Sequence, residues 1–280
     1  MDNYIDRIEK AREAIKKADY IVVGGGAGLS DAAGLKFYGE RFTSKFADFI
    51  DKYDMEDLYT SSFYPFETME EKWAYWARHI YVNRFEVGAT PLYKKLYELV
   101  KNKKYFVITT NVEKQFYKAK FDNEKIFATQ GDYGYIQCAK ACHDKLYYDE
   151  DLVNEMISKT KDCKIPSELV PKCPVCKGDM EVNVRKDNYF VQDDNWYKEA
   201  RNYEQFIKEI KDKKVVFLEL GVGFNTPTII RFPFEKLAYN NSNATLIRIN
   251  KDFSEGMEEN EAKTISFDED MMKVISEMGF

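Results

Sequence analysis

Five cysteines are present, and four of them stand in two close pairs, Cys138-x3-Cys142 and Cys173-x2-Cys176. Four thiolates in such pairs are the usual ligand set of a closed tetrahedral zinc site, which holds a fold together and does no chemistry. Zinc is therefore expected here in a structural role. The knuckle Cys173-Pro174-Val175-Cys176-Lys177-Gly178 has the form of a zinc ribbon. The stretch between the pairs is longer than the usual ribbon spacing of about 15 to 20 residues, and the first pair carries one extra residue. His143 is an alternative ligand beside Cys142, and Cys163 is left over as a free thiol.

A second segment, Gly24-Gly25-Gly26-Ala27-Gly28-Leu29-Ser30, follows the apolar run Tyr20 to Val23. Phosphate binding needs backbone N–H groups aimed at the ligand, side chains small enough for close approach, and a helix N-terminus behind them. A glycine turn leaving a strand and entering Ser30-Asp31-Ala32-Ala33 has that form, with Ser30 or Asp31 placed to cap the helix. The spacing is not G-x-G-x-x-G, because Leu29 occupies the third glycine's place. No acidic residue clearly ends a second strand. A plain dehydrogenase fingerprint is thus a poor match. Two further polar segments stand out, Thr109-Thr110-Asn111-Val112-Glu113 and Gln130-Gly131, in a chain with only two histidines, His79 and His143.

Elements must position these groups. Asp2 to Ala18 reads as a helix, with Ile5, Ile8 and Ile15 at helical spacing. Tyr20 to Val23, Tyr105 to Thr109, Lys125 to Ala128, Val215 to Leu220 and Thr245 to Ile249 have strand length and composition. Helical patterns such as Pro91 to Val100 and Asn202 to Lys211 lie between them. Strands alternating with helices predict an α/β fold, a parallel Rossmann-like sheet covered on both faces. Residues 37–87 are rich in aromatics and read as a helical insertion, with Trp73, Tyr75, Trp76 and Tyr81 as core. Residues 133–185 hold all five cysteines and read as a small zinc module. That leaves 1–132 and 186–280 for the sheet domain.

The 280 residues suffice for such a domain. Hydrophobic content of 44% and charged content of 32% fit a soluble globular chain and exclude a disordered one. A net charge of -6 with both signs dispersed argues against a nucleic-acid binder. No apolar run approaches the ~18 residues of a membrane span, and Met1 to Lys10 carry no signal-peptide core. No membrane partner is expected, and the cytoplasm is the expected location, where paired cysteines suggest metal more than disulfide.

Taken in order, these segments resemble the sirtuin family. Gly26-Ala27-Gly28-Leu29-Ser30 with Ala33-Gly34-Leu35 is similar to its G-A-G-x-S-x-x-S-G-I opening, with Ala33 for the second serine. Thr110-Asn111-Val112-Glu113 is similar to its Q-N-I-D segment. Gln130-Gly131 falls on the H-G pair, Gly221-Val222-Gly223 on the G-T-S turn, Ile249-Asn250 on the late I-N, and the cysteine pairs on the zinc module. The P-D-F-R segment is absent, with Arg41 nearby, and so is the acyl-lysine-binding F-G-E segment. These departures resemble the macrodomain-linked, microbial class M sirtuins. That resemblance implies a protein ADP-ribosyltransferase using NAD, with a lipoyl-carrier protein as acceptor and a macrodomain ADP-ribosyl hydrolase as functional neighbour.

It also implies site roles. Asn111 and Gln130 would orient the nicotinamide ribose as the catalytic pair. Glu113 would lie near the carboxamide or help position the acceptor. Gly26, Ala27, Gly28, Asp31 and Thr110 would line the phosphate and nicotinamide side. Gly221, Val222 and Asn225 would line the adenosine side, with Asn250 on its ribose and Lys251 and Asp268 near the adenine. Glutamine in place of histidine decides the chemistry, because an amide is not basic near neutral pH but still hydrogen-bonds hydroxyls. Glycosidic cleavage survives that exchange, and activation of a ribose hydroxyl for deacylation does not. A lysine deacylase and a non-catalytic NAD or ADP-ribose sensor remain the alternatives.

Overall fold

The computed structural model of the chain describes residues 3–279. Its strands are β1 (Tyr20–Gly25), β2 (Lys104–Thr109), β3 (Ile126–Ala128), β4 (Gly131–Cys138), β5 (Tyr147–Tyr148), β6 (Met180–Val184), β7 (Val215–Leu220), β8 (Ala244–Ile249) and β9 (Thr264–Phe267). Its helices are α1 (Tyr4–Lys17), α2 (Ala27–Ala32), α3 (Glu40–Lys45), α4 (Ala47–Tyr53), α5 (Leu58–Ser61), α6 (Met69–Ile80), α7 (Pro91–Val100), α8 (Gln115–Lys118), α9 (Glu150–Lys159), α10 (Asp194–Glu209), α11 (Arg231–Asn240) and α12 (Met271–Met278). A π-helical turn, Tyr81–Phe85, extends α6.

Six strands form one parallel sheet in the order β3-β2-β1-β7-β8-β9. β1 lies at its centre, with Val22 opposite Phe106 on one side and Phe217 on the other. A central parallel strand is buried on both faces, which is why Tyr20 to Val23 reads as an unbroken apolar run. Ile21 and Val23 pack with Ile8 of α1, Leu96 of α7 and Val274 of α12. Tyr20 and Val22 pack on the opposite layer with Phe206 of α10 and Phe234 of α11. The winding reverses between β1 and β7, and such a switch point leaves a crevice beyond the carboxyl ends of the strands.

Several boundaries differ from the sequence pattern. The expected helix start at Asp2 lies outside the described residues. Helix α1 is capped by Asn3, whose Oδ1 accepts from the Asp6 N–H at 3.0 Å. Its inward stripe is Ile8, Ala11 and Ile15, while Ile5 is exposed. Helix α10 begins at Asp194 rather than Asn202, because Asp193 caps it through the Trp196 N–H. The short edge strand β9 was not expected.

The helices over residues 40–80 and the cysteine region share one core. Phe42, Phe46, Phe49, Trp73 and Tyr75 pack with Ile136, Val153, Met156 and Val182. The long excursion between the cysteine pairs supplies α9, whose Val153 and Met156 enter that core. β4, β5 and β6 form a second, antiparallel sheet in the order β5-β4-β6. Among the described residues no helix is long and apolar enough to cross a membrane.

One buried carboxyl at this junction makes stability depend on pH. Asp149, just before α9, is 1% exposed, and neither of its carboxylate oxygens has a hydrogen-bond partner among the described residues. Burial, then repulsion from Asp132, push its pKa up to about 8. Between its ordinary value of 3.8 and about 8 the folded chain keeps a proton that the unfolded chain has lost. Stability from this group is therefore present at low pH and declines as pH rises through that window. The thermal midpoint of Asp149→Asn, relative to wild type, is expected to be about 8 °C more favourable at pH 9 than at pH 5. Paired melts check this, and an equal difference at both pH values would refute it.

Candidate active site

A cleft of about 1140 Å³ opens over the carboxyl ends of the parallel strands. Each strand delivers a segment to it: Ala27, Gly28 and Asp31 after β1, Thr110, Asn111 and Glu113 after β2, and Gln130 after β3. Gly221 and Asn225 follow β7, Asn250 and Lys251 follow β8, and Asp268 follows β9. Gly26 and Val222 stand behind the wall and take part through backbone carbonyls.

The glycine turn is shaped first by a neighbouring loop. A Cβ on Gly26 would lie 2.6 Å from the Gly221 carbonyl oxygen, and one on Gly28 would lie 2.8 Å from the Gly221 Cα. Gly221 itself has φ +60, a conformation that side chains disfavour. The loops after β1 and β7 thus touch backbone to backbone, tied by the Gly28 N–H to the Gly221 carbonyl at 2.9 Å. Ser30 and Asp31 do not cap the helix. They lie inside α2, whose N-cap is Gly26 without a side-chain bond.

Ser30 is instead one member of a buried network. Its Oγ donates to Glu113 Oε1 at 2.7 Å, and the Tyr93 hydroxyl donates to the same oxygen at 3.2 Å. Asn111 Nδ2 donates to the Gly26 carbonyl at 2.9 Å and to the Tyr93 hydroxyl at 3.2 Å. Those bonds fix the amide and leave Oδ1 without a partner among the described residues. Burial raises the Glu113 pKa, and the Ser30 and Tyr93 donors oppose the rise. Burial likewise holds the Tyr93 phenol well above its ordinary value. Tyr93 was missed in the sequence because it lies on the apolar face of α7 among Leu92 and Leu96, where a tyrosine reads as core.

Gln130 stands between β3 and β4. Its Nε2 reaches the Thr226 Oγ1 at 3.4 Å, and its backbone carbonyl accepts from the Arg185 N–H at 3.0 Å. Arg185 also lines the cleft, its guanidinium packed over the Phe190 ring at 4.7 Å. It is a cationic lining residue that the sequence motifs did not mark. Asn250 is largely committed to its own loop. Its Nδ2 donates to the Val222 carbonyl at 2.9 Å, and its Oδ1 accepts from the Asp252 and Phe253 N–H groups. Asp268 does not begin the last helix. Asp270 caps α12 through the Lys273 N–H at 2.8 Å, which leaves Asp268 on the cleft. Trp76 belongs both to the aromatic core and to the cleft wall. Arg41 is not a lining residue; it donates to the Lys36 and Val82 carbonyls, each at 3.0 Å.

Neither histidine reaches the cleft. His79 is fully buried among aromatics, with Nδ1 on the Tyr75 hydroxyl at 3.1 Å, and burial pulls its pKa down to about 3. His143 lies beside the thiols, its Nδ1 3.1 Å from Cys142 Sγ. The four sulfurs of Cys138, Cys142, Cys173 and Cys176 all fall within 4.8 Å of one another. Two of the separations, Cys138 to Cys176 and Cys142 to Cys173, are 3.6 Å. A tetrahedron of ~2.3 Å zinc–sulfur bonds has edges of about 3.8 Å, so the cluster fits zinc. Cys163 lies apart in the core as a free thiol, its pKa raised by burial to about 11.

The fold that carries this crevice is shared with solved Sir2 sirtuins. A Sir2 homologue solved with ADP-ribose superposes with TM-score 0.60 at 14% identity, covering 99% of this chain and 95% of that one. A Sir2 homologue solved with 2'-O-acetyl-ADP-ribose gives 0.63 at 16% identity, over 99% and 95%. No protein-family model matches the chain. A protein ADP-ribosyltransferase of Staphylococcus aureus strain Mu50 is 36% identical over 277 residues, 99% of this chain and 88% of that protein. A probable bifunctional ADP-ribose hydrolase/ADP-ribosyltransferase of Fusarium oxysporum f. sp. cubense is 31% identical over 249 residues, 85% of this chain and 41% of its own length. The chain belongs to the family of sirtuin-like, NAD-dependent protein ADP-ribosyltransferases.

Proposed function

We propose that this cleft splits NAD at its nicotinamide bond and passes the ADP-ribosyl group to a protein acceptor in the cytoplasm. The observation that carries this reading is an Asn111 and Gln130 pair lining a cleft that neither histidine reaches. The ribosyl C–N bond breaks, and its electron pair leaves with neutral nicotinamide. Asn111 Oδ1 and the Gln130 amide hold the ribose hydroxyls while charge develops on the sugar. An acceptor oxygen then forms the new C–O bond; a carboxylate brings no proton, and a hydroxyl releases one to solvent. Ala27, Gly28, Asp31 and Thr110 face the phosphates and nicotinamide, and Glu113 organises that wall through Ser30 and Tyr93. Gly221, Asn225, Asn250, Lys251 and Asp268 face the adenosine half, with Gly26 and Val222 shaping the loops from behind.

A lipoylated carrier is the proposed acceptor, and a macrodomain ADP-ribosyl hydrolase the proposed functional neighbour. The kinship of the fungal bifunctional protein supports the second. Incubation with labelled NAD and cytosolic extract should leave label on protein and release nicotinamide. Label found wholly in free ADP-ribose would refute transfer.

One observation favours a second reading. The cleft extends past Phe37, Trp76, Tyr133 and Val182, an apolar wall that suits an acyl chain. Release of O-acyl-ADP-ribose from an acylated peptide would support that deacylase reading, with Gln130→His as its companion.

A further inference from the structure

Behind the adenosine side lies a buried ion network that the proposed reaction does not use. Glu219 on β7, Arg248 on β8, and Arg231 and Glu235 on α11 are all buried. Arg248 grips Glu219 with two prongs, Nε to Oε1 at 2.7 Å and Nη2 to Oε2 at 3.0 Å, and meets Glu235 at 2.8 Å. Arg231 makes only a long contact with Glu219, at 3.4 Å. Its donors go mainly to backbone. Nη1 donates to the Phe253 carbonyl at 3.0 Å and the Val222 carbonyl at 3.3 Å, and Nη2 donates to the Glu255 carbonyl at 3.0 Å. The same guanidinium lies 4.5 Å from the centroid of the Phe224 ring.

Val222 and Phe224 belong to the loop after β7, and Phe253 and Glu255 to the loop after β8. Those two loops carry Gly221, Asn225, Lys251 and Asp252 on the cleft wall. A buried ion set gains little stability over apolar packing. A planar fork of five donors does what apolar groups cannot, satisfying carbonyls of two chain segments at fixed spacing. We propose that Arg231 is a positioning residue that locks the loops after β7 and β8 together and so sets the shape of the adenosine side of the cleft. This rests on the placement of the adenosine half proposed above.

Arg231→Lys tests it, because lysine keeps the charge opposite Glu219 but cannot span the three carbonyls. In the ligand-free full chain, amide exchange over residues 222–226 and 252–256 should quicken about tenfold, with residues 27–31 unchanged. The KM for NAD and the inhibition constant of AMP should rise together by about tenfold, with kcat within about twofold. Nicotinamide inhibition should not move. Unchanged exchange with unchanged KM overturns the clamp. Quicker exchange with unchanged NAD and AMP affinity keeps the tie but overturns the adenosine placement, and with it the role in the cleft. Arg231→Gln, whose amide can still reach one of the carbonyls, serves if the lysine variant does not fold. It should raise exchange over 222–226 and the KM by about threefold, and no change in either overturns the proposal.

Discussion

Asn111→Ala is expected to slow nicotinamide release from NAD by about a hundredfold or more, the loss seen when one preorganised polar group at a reacting centre is removed. The expectation follows from how the amide is held. Nδ2 is tied to the Gly26 carbonyl and the Tyr93 hydroxyl, so Oδ1 is presented to the cleft in one orientation before any ligand arrives. Alanine removes that acceptor and also frees the Gly26 carbonyl. Thermal stability should therefore fall as well, by an amount typical of two part-buried hydrogen bonds, about 2 kcal/mol. The two effects separate in single-turnover assays with saturating NAD and a melt on the same sample. A variant that melts normally and cleaves NAD within about fivefold of wild type would remove the nicotinamide ribose from this position.

Much of this site was legible because the fold places chemistry where strands end. Tyr20 to Val23, Tyr105 to Thr109 and Val215 to Leu220 read as buried parallel strands. The polar or glycine residues just after them, Gly28, Asn111 and Gly221, all line the cleft. The cysteine pairs were legible from spacing alone. What sequence could not reveal depends on contacts between distant segments. Ser30 and Glu113 are 83 positions apart, and nothing local to either marks the bond between them. Tyr93 hides in an apolar helix face, and Arg185 sits beyond β6 in a run of charges. The close approach of the glycine turn to Gly221, nearly 200 positions away, is likewise unmarked by anything local to either segment. The shared core of the helical segment and the cysteine region was equally hidden, because each looked self-contained along the chain.

That shared core makes the metal the other place where a large effect is expected. Cys138 and Cys173 are buried in the same cluster as Phe46, Trp73 and Met156, so the thiolates stand at the base of the smaller sheet and not on a detachable arm. The Cys176 N–H approaches Cys173 Sγ at 3.5 Å, and the Cys173 N–H donates to the Gly178 carbonyl at 2.7 Å, a knuckle already folded around an ion-sized space. Structural zinc contributes its binding free energy to folding, about 10 kcal/mol or more in small domains. Without it, four thiolates packed this closely repel one another. Chelator-stripped protein, and Cys173→Ser, should lose the smaller sheet and become open to protease across residues 139–179, while the six-stranded sheet keeps its far-ultraviolet signal. NAD cleavage should fall with them, because β4 starts at Gly131 and β6 runs to Val184, so Gln130 and Arg185 are anchored by that sheet. Metal analysis should find about one zinc per chain in wild type and in Cys163→Ser, and almost none in Cys173→Ser. Equal zinc in all three, or a stripped protein that resists protease like the loaded one, would show that the four sulfurs do not form a structural metal site.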